Sequence, residues 1–225
     1  MKNIITIGFY MMLSLCAFGK RIEDYYLTNL FTSKNSDTSS NPLISFSSSW
    51  ASTKYQYCNT GASVYYLTDD EKKVIWILNM VRANPTLFLE SVLLNPKSKY
   101  FKNVKKRNAY DLSLLNTLKK AIPNSNFLIS DQSAFRSAKC HAISSGVEGY
   151  IGHQRIDSSC LSDYFGECCT YGFSDPLSIV MSLLLDYDVP NLSHREICLS
   201  KDYSKLGVSI QPHRTYKINA VLDFK

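Results

Sequence analysis

The C-terminal residues constrain the fold most, because two series of apolar side chains alternate there with the period of a β-strand. The first series is Leu206, Val208 and Ile210, and the second is Tyr216, Ile218, Ala220, Leu222 and Phe224. Two such series predict a hairpin, with the turn at "QPHR" (residues 211–214) and His213 exposed in it. The segments before this hairpin have helical patterns. The predicted fold class is therefore α+β, with an antiparallel central sheet flanked by helices.

The compact part begins at "YLTDDEKKVIWILNMVRANP", where Thr68 and Glu71 have the spacing of a capping box. Asn84 and Pro85 predict the end of this helix, because the residue before proline avoids the α region. "TLFLESVLL" and "DLSLLNTLKKA" predict two further helices.

Two later helices carry distinct signals. "SDQSAFRSAKCHAISSG" places small residues on one face, where another element can approach closely, and Gly146 is expected to cap its C-terminus. The residues on that face are Ala134, Ala138, His141 and Ala142. "SDPLSIVMSLLLD" has Asp175 as N-cap and Pro176 at the first helical position, and its apolar surface predicts burial.

The N-terminus divides the chain into three predicted parts. Residues 1–19 have the charged start, apolar stretch and small residues of a signal peptide. A lipoprotein anchored at Cys16 is a less favoured alternative, because Leu15 is bulky for the residue before a lipidated cysteine. Residues 20–66 form a Ser/Tyr-rich arm, expected to be flexible or draped over the domain, and the domain spans residues 67–225.

Export predicts a secreted or periplasmic protein and changes the meaning of the cysteines. Six remain after cleavage: Cys58, Cys140, Cys160, Cys168, Cys169 and Cys198. An even number in an oxidising compartment favours disulfides, although their connectivity cannot be deduced. Free buried thiols are the alternative.

Charge and hydropathy exclude some partners. The net charge of +6 is spread along the chain, which argues against a nucleic-acid-binding protein. The apolar stretch of the signal peptide is short for a membrane span, and no transmembrane segment is expected after cleavage.

One carboxylate stands out in "FGECCTYG", where Glu167 precedes two cysteines. His153 lies upstream in "GYIGHQR" and His194 lies downstream in "NLSHREICLS". Two neutral imidazoles with carboxylates can bind a divalent cation, most readily Zn²⁺. The alternative is a purely structural network of these residues. His141 is expected to be a hydrogen-bonded core histidine rather than a ligand.

Taken in order, these segments resemble the CAP superfamily (cysteine-rich secretory proteins, antigen 5, pathogenesis-related 1), in its bacterial SCP-like extracellular branch. The resemblance covers residues 66–224 and rests on "EKKVIWILNMVRANP", "SAKCHA", "GYIGH", "FGECCTYG", "LLLDYDVPNLSHREICLSKDYSKLGV" and "PHRTYKINAVLDF". It implies an α-β-α sandwich with a central cavity lined by two histidines and two acids. By position these are His153, Glu167, Asp186 and His194. Cys168 departs from the family, in which asparagine is usual.

The resemblance implies a non-catalytic binding module, with the cavity as a metal site and an apolar groove for a lipid or sterol. A metal-dependent, peptidase-like hydrolase with Glu167 as base is the alternative. A third possibility is an extracellular interaction protein that contacts its partner protein through the arm.

Overall fold

The computed structural model describes residues 40–99, 108–160 and 162–225. The predicted signal peptide, Cys16 and residues 20–39 of the predicted arm lie outside the described residues. Within the described ranges, no helix has the length and apolar character that a membrane span requires.

The described residues form seven α-helices. They are α1 (Thr53–Gln56), α2 (Asp69–Ala83), α3 (Pro85–Phe88), α4 (Ala109–Lys120), α5 (Gln132–Glu148), α6 (Pro176–Leu185) and α7 (Ser193–Leu199). A 3₁₀ turn (Ser48–Ala51) precedes α1, and a π-helical turn (Leu89–Leu93) follows α3.

Four strands form one sheet in the order β1-β3-β4-β2: β1 (Ile129–Ser130), β2 (Gly166–Tyr171), β3 (Lys205–His213) and β4 (Lys217–Phe224). The α+β class is confirmed. β4 pairs antiparallel with both β2 and β3, but β1 pairs parallel with β3. The expectation of a wholly antiparallel sheet is therefore wrong at β1. A strand of two residues is too short to show a periodic pattern.

The helix boundaries follow their local signals. Thr68 and Glu71 form the predicted capping box at the start of α2. The second carboxylate oxygen of Glu71 accepts a hydrogen bond from the backbone N–H of Ile210 at 2.9 Å, which joins this helix start to β3. Asp175 caps α6, and Pro176 occupies its first turn, as predicted.

The hairpin turn lies at residues 214–216, so it begins three positions later than the predicted start at residue 211. His213 ends β3 and is only 2% exposed, so the prediction of an exposed histidine is wrong. Its Nε2 donates to the carbonyl of Tyr150 at 3.0 Å. Its Nδ1 accepts from the backbone N–H groups of Thr215 and Tyr216. Both ring nitrogens are thus used to hold the turn.

α5 packs closely against β3. Ala134, Ala138 and Ala142 are fully buried, as the small-residue pattern predicts. Gly146, however, lies inside α5 rather than at its cap, which is Gly149 at φ 70°. A Cβ at Gly146 would lie 2.1 Å from the carbonyl oxygen of Pro212. The glycine is therefore required by the close approach of the strand.

The predicted arm contributes to the core over residues 43–58. Its buried side chains there are Leu43, Trp50, Tyr55 and Cys58. The indole of Trp76 in α2 donates to the carbonyl of Tyr55 at 2.8 Å. Over these residues the predicted arm is therefore draped over the domain, one of its two expected states, because burial of this apolar surface joins the segment to α2.

The cysteines show both of the expected states, a disulfide and free buried thiols. Cys140 and Cys160 form a disulfide that ties α5 to the following loop. Four other cysteines in the described ranges are buried thiols: Cys58, Cys168, Cys169 and Cys198.

β2 is an edge strand, and its side chains alternate between two environments. Cys169 packs against Ala138, Ala142 and Val221 on the α5 side. Thr170 points the other way and shares a hydrogen bond of 2.7 Å with Ser182 in α6. Glu167, two residues before Cys169, therefore lies on the α5 side, at the open edge of the sheet.

Candidate functional site

Glu167 and His153 form the first of two histidine–carboxylate pairs. Nδ1 of His153 donates to Oε1 of Glu167 at 2.8 Å. The second oxygen of Glu167 accepts from Nη1 of Arg155 at 2.5 Å. The carboxylate side chain is 3% exposed, whereas the histidine is 54% exposed. Glu167 is therefore a buried anchor, and His153 is the member of the pair that meets solvent.

His194 and Asp186 form the second pair. Asp186 ends α6 in the left-handed conformation, at φ 57°. One of its oxygens lies 2.8 Å from Nδ1 of His194. The other accepts from the backbone N–H groups of His194 and Arg195. Asp186 therefore fixes the start of α7 as well as the imidazole that α7 carries.

The two pairs face each other. The ring centroids of His153 and His194 are 5.8 Å apart. Each histidine uses Nδ1 for its carboxylate, which leaves Nε2 to meet a ligand. Metal-binding histidines are commonly oriented in this way, because a carboxylate on one ring nitrogen fixes the ring and makes the other nitrogen a better donor.

The histidines line a cavity of about 830 Å³. Asp186 and Cys169 also line it, together with the buried apolar side chains of Met181 and Leu185. Four apolar or aromatic side chains around it are partly exposed: Ile151, Phe173, Tyr187 and Tyr216. The cavity thus combines a polar wall with an apolar wall.

Two charged residues of the network were not predicted from the sequence. Arg155 reaches Glu167, and its Nη2 also lies 3.4 Å from Asp223. Asp223 lies opposite Glu167 on β4, is fully buried and accepts from the hydroxyl of Ser137 at 2.6 Å. An acid within the apolar strand "INAVLDF" is the signal that points to such a role.

The carboxyl groups of this network have opposite pKa shifts. Burial acts to raise the pKa of Glu167, but the hydrogen bond from His153 and the positive charge of Arg155 outweigh it and lower that pKa. Burial, together with the charge of Glu167, raises the pKa of Asp223 to about 8 despite the Ser137 hydrogen bond. Glu167 is therefore the charged member of the pair at neutral pH, and Asp223 the one that holds a proton.

His141 is buried on α5, as expected for a core histidine. Its Nε2 donates to the carbonyl of Gly152 at 2.9 Å. Its Nδ1 is buried, with no hydrogen-bond partner among the described residues. Burial lowers the pKa of His141 against the opposing charge of Glu167, so the imidazole is neutral. The hydrogen bond expected of a core histidine is therefore present at Nε2 of His141.

The two cysteines after Glu167 differ in their surroundings. Sγ of Cys168 lies 3.7 Å from the carbonyl of His194, on the side of β2 away from α5. Sγ of Cys169 lies 3.7 Å from Oε1 of Glu167 and 3.8 Å from Nδ1 of His153. Burial raises the pKa of both thiols well above the ordinary value. Neither is a ready thiolate nucleophile.

The structure therefore brings the four residues predicted from the sequence, His153, Glu167, Asp186 and His194, into one site. Comparisons with protein-family models, with curated proteins and with solved structures found no match to this chain.

Proposed function

We propose that this chain is an exported binding protein of the CAP type, whose cavity holds a divalent cation between His153 and His194. One observation carries the proposal: each of these histidines has Nδ1 within 2.8 Å of a buried carboxylate, and their rings face each other at 5.8 Å. The order of sequence motifs along the chain supports the family, and the Cys140–Cys160 disulfide agrees with export to an oxidising compartment.

The donor set fits Zn²⁺, which binds imidazole nitrogen at about 2.0–2.1 Å and prefers four ligands. His153 and His194 supply two donors through Nε2. Glu167 and Asp186 orient the rings and balance the charge of the cation. A zinc ion bound here would polarise an oxygen or nitrogen atom of a ligand in the cavity.

The cavity also suggests the kind of organic ligand. Its apolar wall and its volume of about 830 Å³ suit a lipid-like or sterol-like molecule. A polar head group of such a ligand would lie at the histidines, and the apolar part would pack against Met181, Leu185 and Val189. We therefore propose an amphipathic ligand rather than a purely apolar one.

The surroundings of Glu167 favour binding over hydrolysis. Both carboxylate oxygens already accept hydrogen bonds, from His153 and from Arg155. The hydrogen bonds and the neighbouring charge lower the pKa of this group, which makes it a weak base.

Zinc stoichiometry tests the proposal. The protein, purified without chelator, would be titrated with Zn²⁺ and measured by calorimetry and elemental analysis, alongside His153→Ala and His194→Ala. Either substitution should remove one zinc equivalent, because each removes one of two facing donors. Asp188→Ala is the matched control, since Asp188 also lines the cavity but contacts neither imidazole through any hydrogen bond of the described residues.

A wild-type protein that binds no zinc would overturn the proposal, as would folded histidine variants that keep the wild-type stoichiometry. The organic ligand is tested separately, by mass spectrometry of an organic extract of the purified protein. A lipid or sterol that copurifies with wild type and is lost in Leu185→Trp, which fills the apolar wall, supports it. An extract that is the same for both proteins contradicts it.

A further inference from the structure

The outer edge of β2 lies along the cavity. β2 is the last strand of the sheet and pairs with β4 alone among the described strands. Its residues Cys169, Thr170 and Tyr171 all line the cavity. The side chain of Cys169 lies against His153, and that of Thr170 lies against Ser182 in α6. The edge of the strand therefore runs between the two walls of the cavity.

The strand register shows which backbone groups face outward from this edge. In an antiparallel pair, successive residues alternate between hydrogen bonding to the partner strand and pointing away from it. Gly172, directly after β2, donates its backbone N–H to the residue opposite it at 2.8 Å. Thr170 and Cys168 follow at intervals of two and also bond to β4. The backbone N–H and C=O groups of Cys169 and Tyr171 therefore point away from β4.

These four outward groups have no hydrogen-bond partner in the part of the chain that the structure describes. The nearest loop does not supply one, because the backbone N–H of Gly152 bonds to the hydroxyl of Tyr171 and not to its carbonyl. Cys169 is only 8% exposed. Backbone groups at buried positions are nearly always paired, so these groups point to a partner with backbone donors and acceptors of its own.

An extended peptide is the partner that matches this edge. The outward groups of Cys169 and Tyr171 are two strand positions apart, a distance of about 7 Å. A stretch of three peptide residues can pair with both positions and form four hydrogen bonds. Addition of a strand to an exposed sheet edge is a common mode of peptide recognition. A lipid or a sterol lacks donors and acceptors that repeat at this spacing.

The cavity also indicates which peptide side chain is preferred. The middle residue of the three would lie opposite Thr170, and residues directly opposite each other point their side chains to the same face. On that face, α6 contributes Met181 and Leu185, which are buried and line the cavity. An apolar side chain such as that of leucine therefore fits the middle position.

We propose that the cavity binds an extended peptide, which adds a strand to the edge of β2 at Cys169 and Tyr171 and has an apolar residue at its middle position. This goes beyond the proposed function, because the binding groups are backbone atoms of β2 and neither the cation nor its histidines take part. The peptide and a lipid-like ligand would use the same apolar wall, so each excludes the other.

Amide hydrogen exchange, resolved by residue with NMR, tests the proposal on the intact protein. The probe is a pool of acetylated and amidated pentapeptides with leucine in the middle and random neighbours. In the free protein, the amides of Cys169 and Tyr171 should exchange faster than those of Cys168 and Thr170. The pool should slow exchange at Cys169 and Tyr171 about 10-fold or more, because their N–H groups gain partners. Exchange at Cys168 and Thr170 should not change.

Two control pools test the mode of binding. N-methylation of the residues on either side of leucine removes the peptide N–H groups that face β2 and keeps the side chains, so this pool should give no protection. A pool with aspartate in place of leucine should bind about 10-fold more weakly or worse, because an apolar contact is lost.

Cys169→Pro is the matched protein variant. Proline removes the outward N–H at this position and leaves the hydrogen bonds to β4, as edge strands allow. The variant should lose protection at Tyr171, whereas Cys169→Ala, which keeps the backbone N–H, should retain it. If Cys169→Pro does not fold, the N-methylated pool on wild type decides the question.

Equal exchange rates at all four amides of the free protein would show that the edge is already paired and would overturn the proposal. Protection that is absent with the leucine pool, or equal with the N-methylated pool, would also overturn it. Zinc stoichiometry is measured independently of these exchange rates, so the proposed cation site and the peptide site can fail separately.

Discussion

Glu167 and Asp223 lie directly opposite each other on β2 and β4, and both carboxyl groups are buried. Two adjacent buried carboxyl groups cannot both carry a full charge at low cost. Arg155 lies against both and favours the charged form of Glu167. The strand register thus sets one acid as the anchor of His153 and the other as a proton-holding neighbour.

This relationship makes the stability of the protein depend on pH. The pKa of Asp223 rises from the ordinary 3.8 to about 8 in the folded protein. Between these values the folded protein holds a proton that the unfolded chain has lost, so stability falls as pH rises through this window. Asparagine carries no such proton. Relative to wild type, the free energy of unfolding of Asp223→Asn should therefore increase by at least about 1 kcal/mol as the pH rises from 5 to 8.

Urea unfolding at several pH values measures this difference. Asp202→Asn, at an exposed position, serves as the control and should follow the wild-type profile. Parallel profiles for wild type and Asp223→Asn would show that Asp223 does not hold the proton.

Asp186 should matter for stability as well as for the site. Its carboxylate accepts from Nδ1 of His194 and from two backbone N–H groups. In Asp186→Asn one acceptor becomes an amide donor, which must face either Nδ1 of His194 or the two backbone N–H groups. The expected loss of unfolding free energy is about 1–3 kcal/mol. Thermal or urea denaturation measures it.

Asp188→Asn is the matched control, since Asp188 also has a positive φ, 63°, but is exposed. Equal stabilities of the two variants would contradict the role given to Asp186.

Gly146→Ala should destabilise the packing of α5 on β3. The added Cβ would lie 2.1 Å from the carbonyl oxygen of Pro212, and both partners are backbone segments that must move apart. The expected loss is about 1–3 kcal/mol. In Gly61→Ala the new methyl group meets its nearest atoms at 3.7 Å, so this control should be close to wild type. Comparable denaturation midpoints for both variants would mean that the contact of α5 with β3 is looser than described.

The disulfide assignment can be checked directly. Peptide mapping without reduction should show Cys140 linked to Cys160, with Cys58, Cys168, Cys169 and Cys198 alkylated only after unfolding. Removing the bond with Cys140→Ser and Cys160→Ser should cost about 2–4 kcal/mol. A linkage that includes Cys168 or Cys169 would contradict the buried thiols beside Glu167.

The local features of the fold could be predicted because their causes lie close together in the sequence. The capping box of Thr68 and Glu71 and the start of α6 at Pro176 depend on neighbouring residues only. The partners of Glu167 could be predicted only in part. His153 was predicted from the motif pattern, whereas Asp223 depends on the register between β2 and β4, which pairs it with Glu167, 56 positions earlier in the chain (223 − 167).

The incorrect predictions also result from contacts between segments that are distant in the sequence. Gly146 and His213 were assigned from local sequence, yet each is fixed by a contact with a distant segment. Trp50 lies in a polar stretch that predicts an arm either flexible or draped over the domain, and only the packing against the core shows that its side chain is buried.

The central claim is that a metal ion bridges the two histidines. The contribution of Glu167 and Asp186 to zinc affinity can be measured first. Glu167→Gln and Asp186→Asn should each weaken zinc binding about 10- to 100-fold, because loss of a carboxylate that orients a metal-bound histidine commonly has this effect. Unchanged zinc affinity in both variants would show that these two carboxylates do not contribute to zinc binding.

The most direct measurement is anomalous X-ray scattering at the zinc edge, on crystals of the protein grown with Zn²⁺. We predict a peak between the rings of His153 and His194, about 2.0–2.1 Å from Nε2 of each. Zinc peaks that occur only elsewhere, or none in a crystal whose histidines keep the described geometry, would contradict the claim.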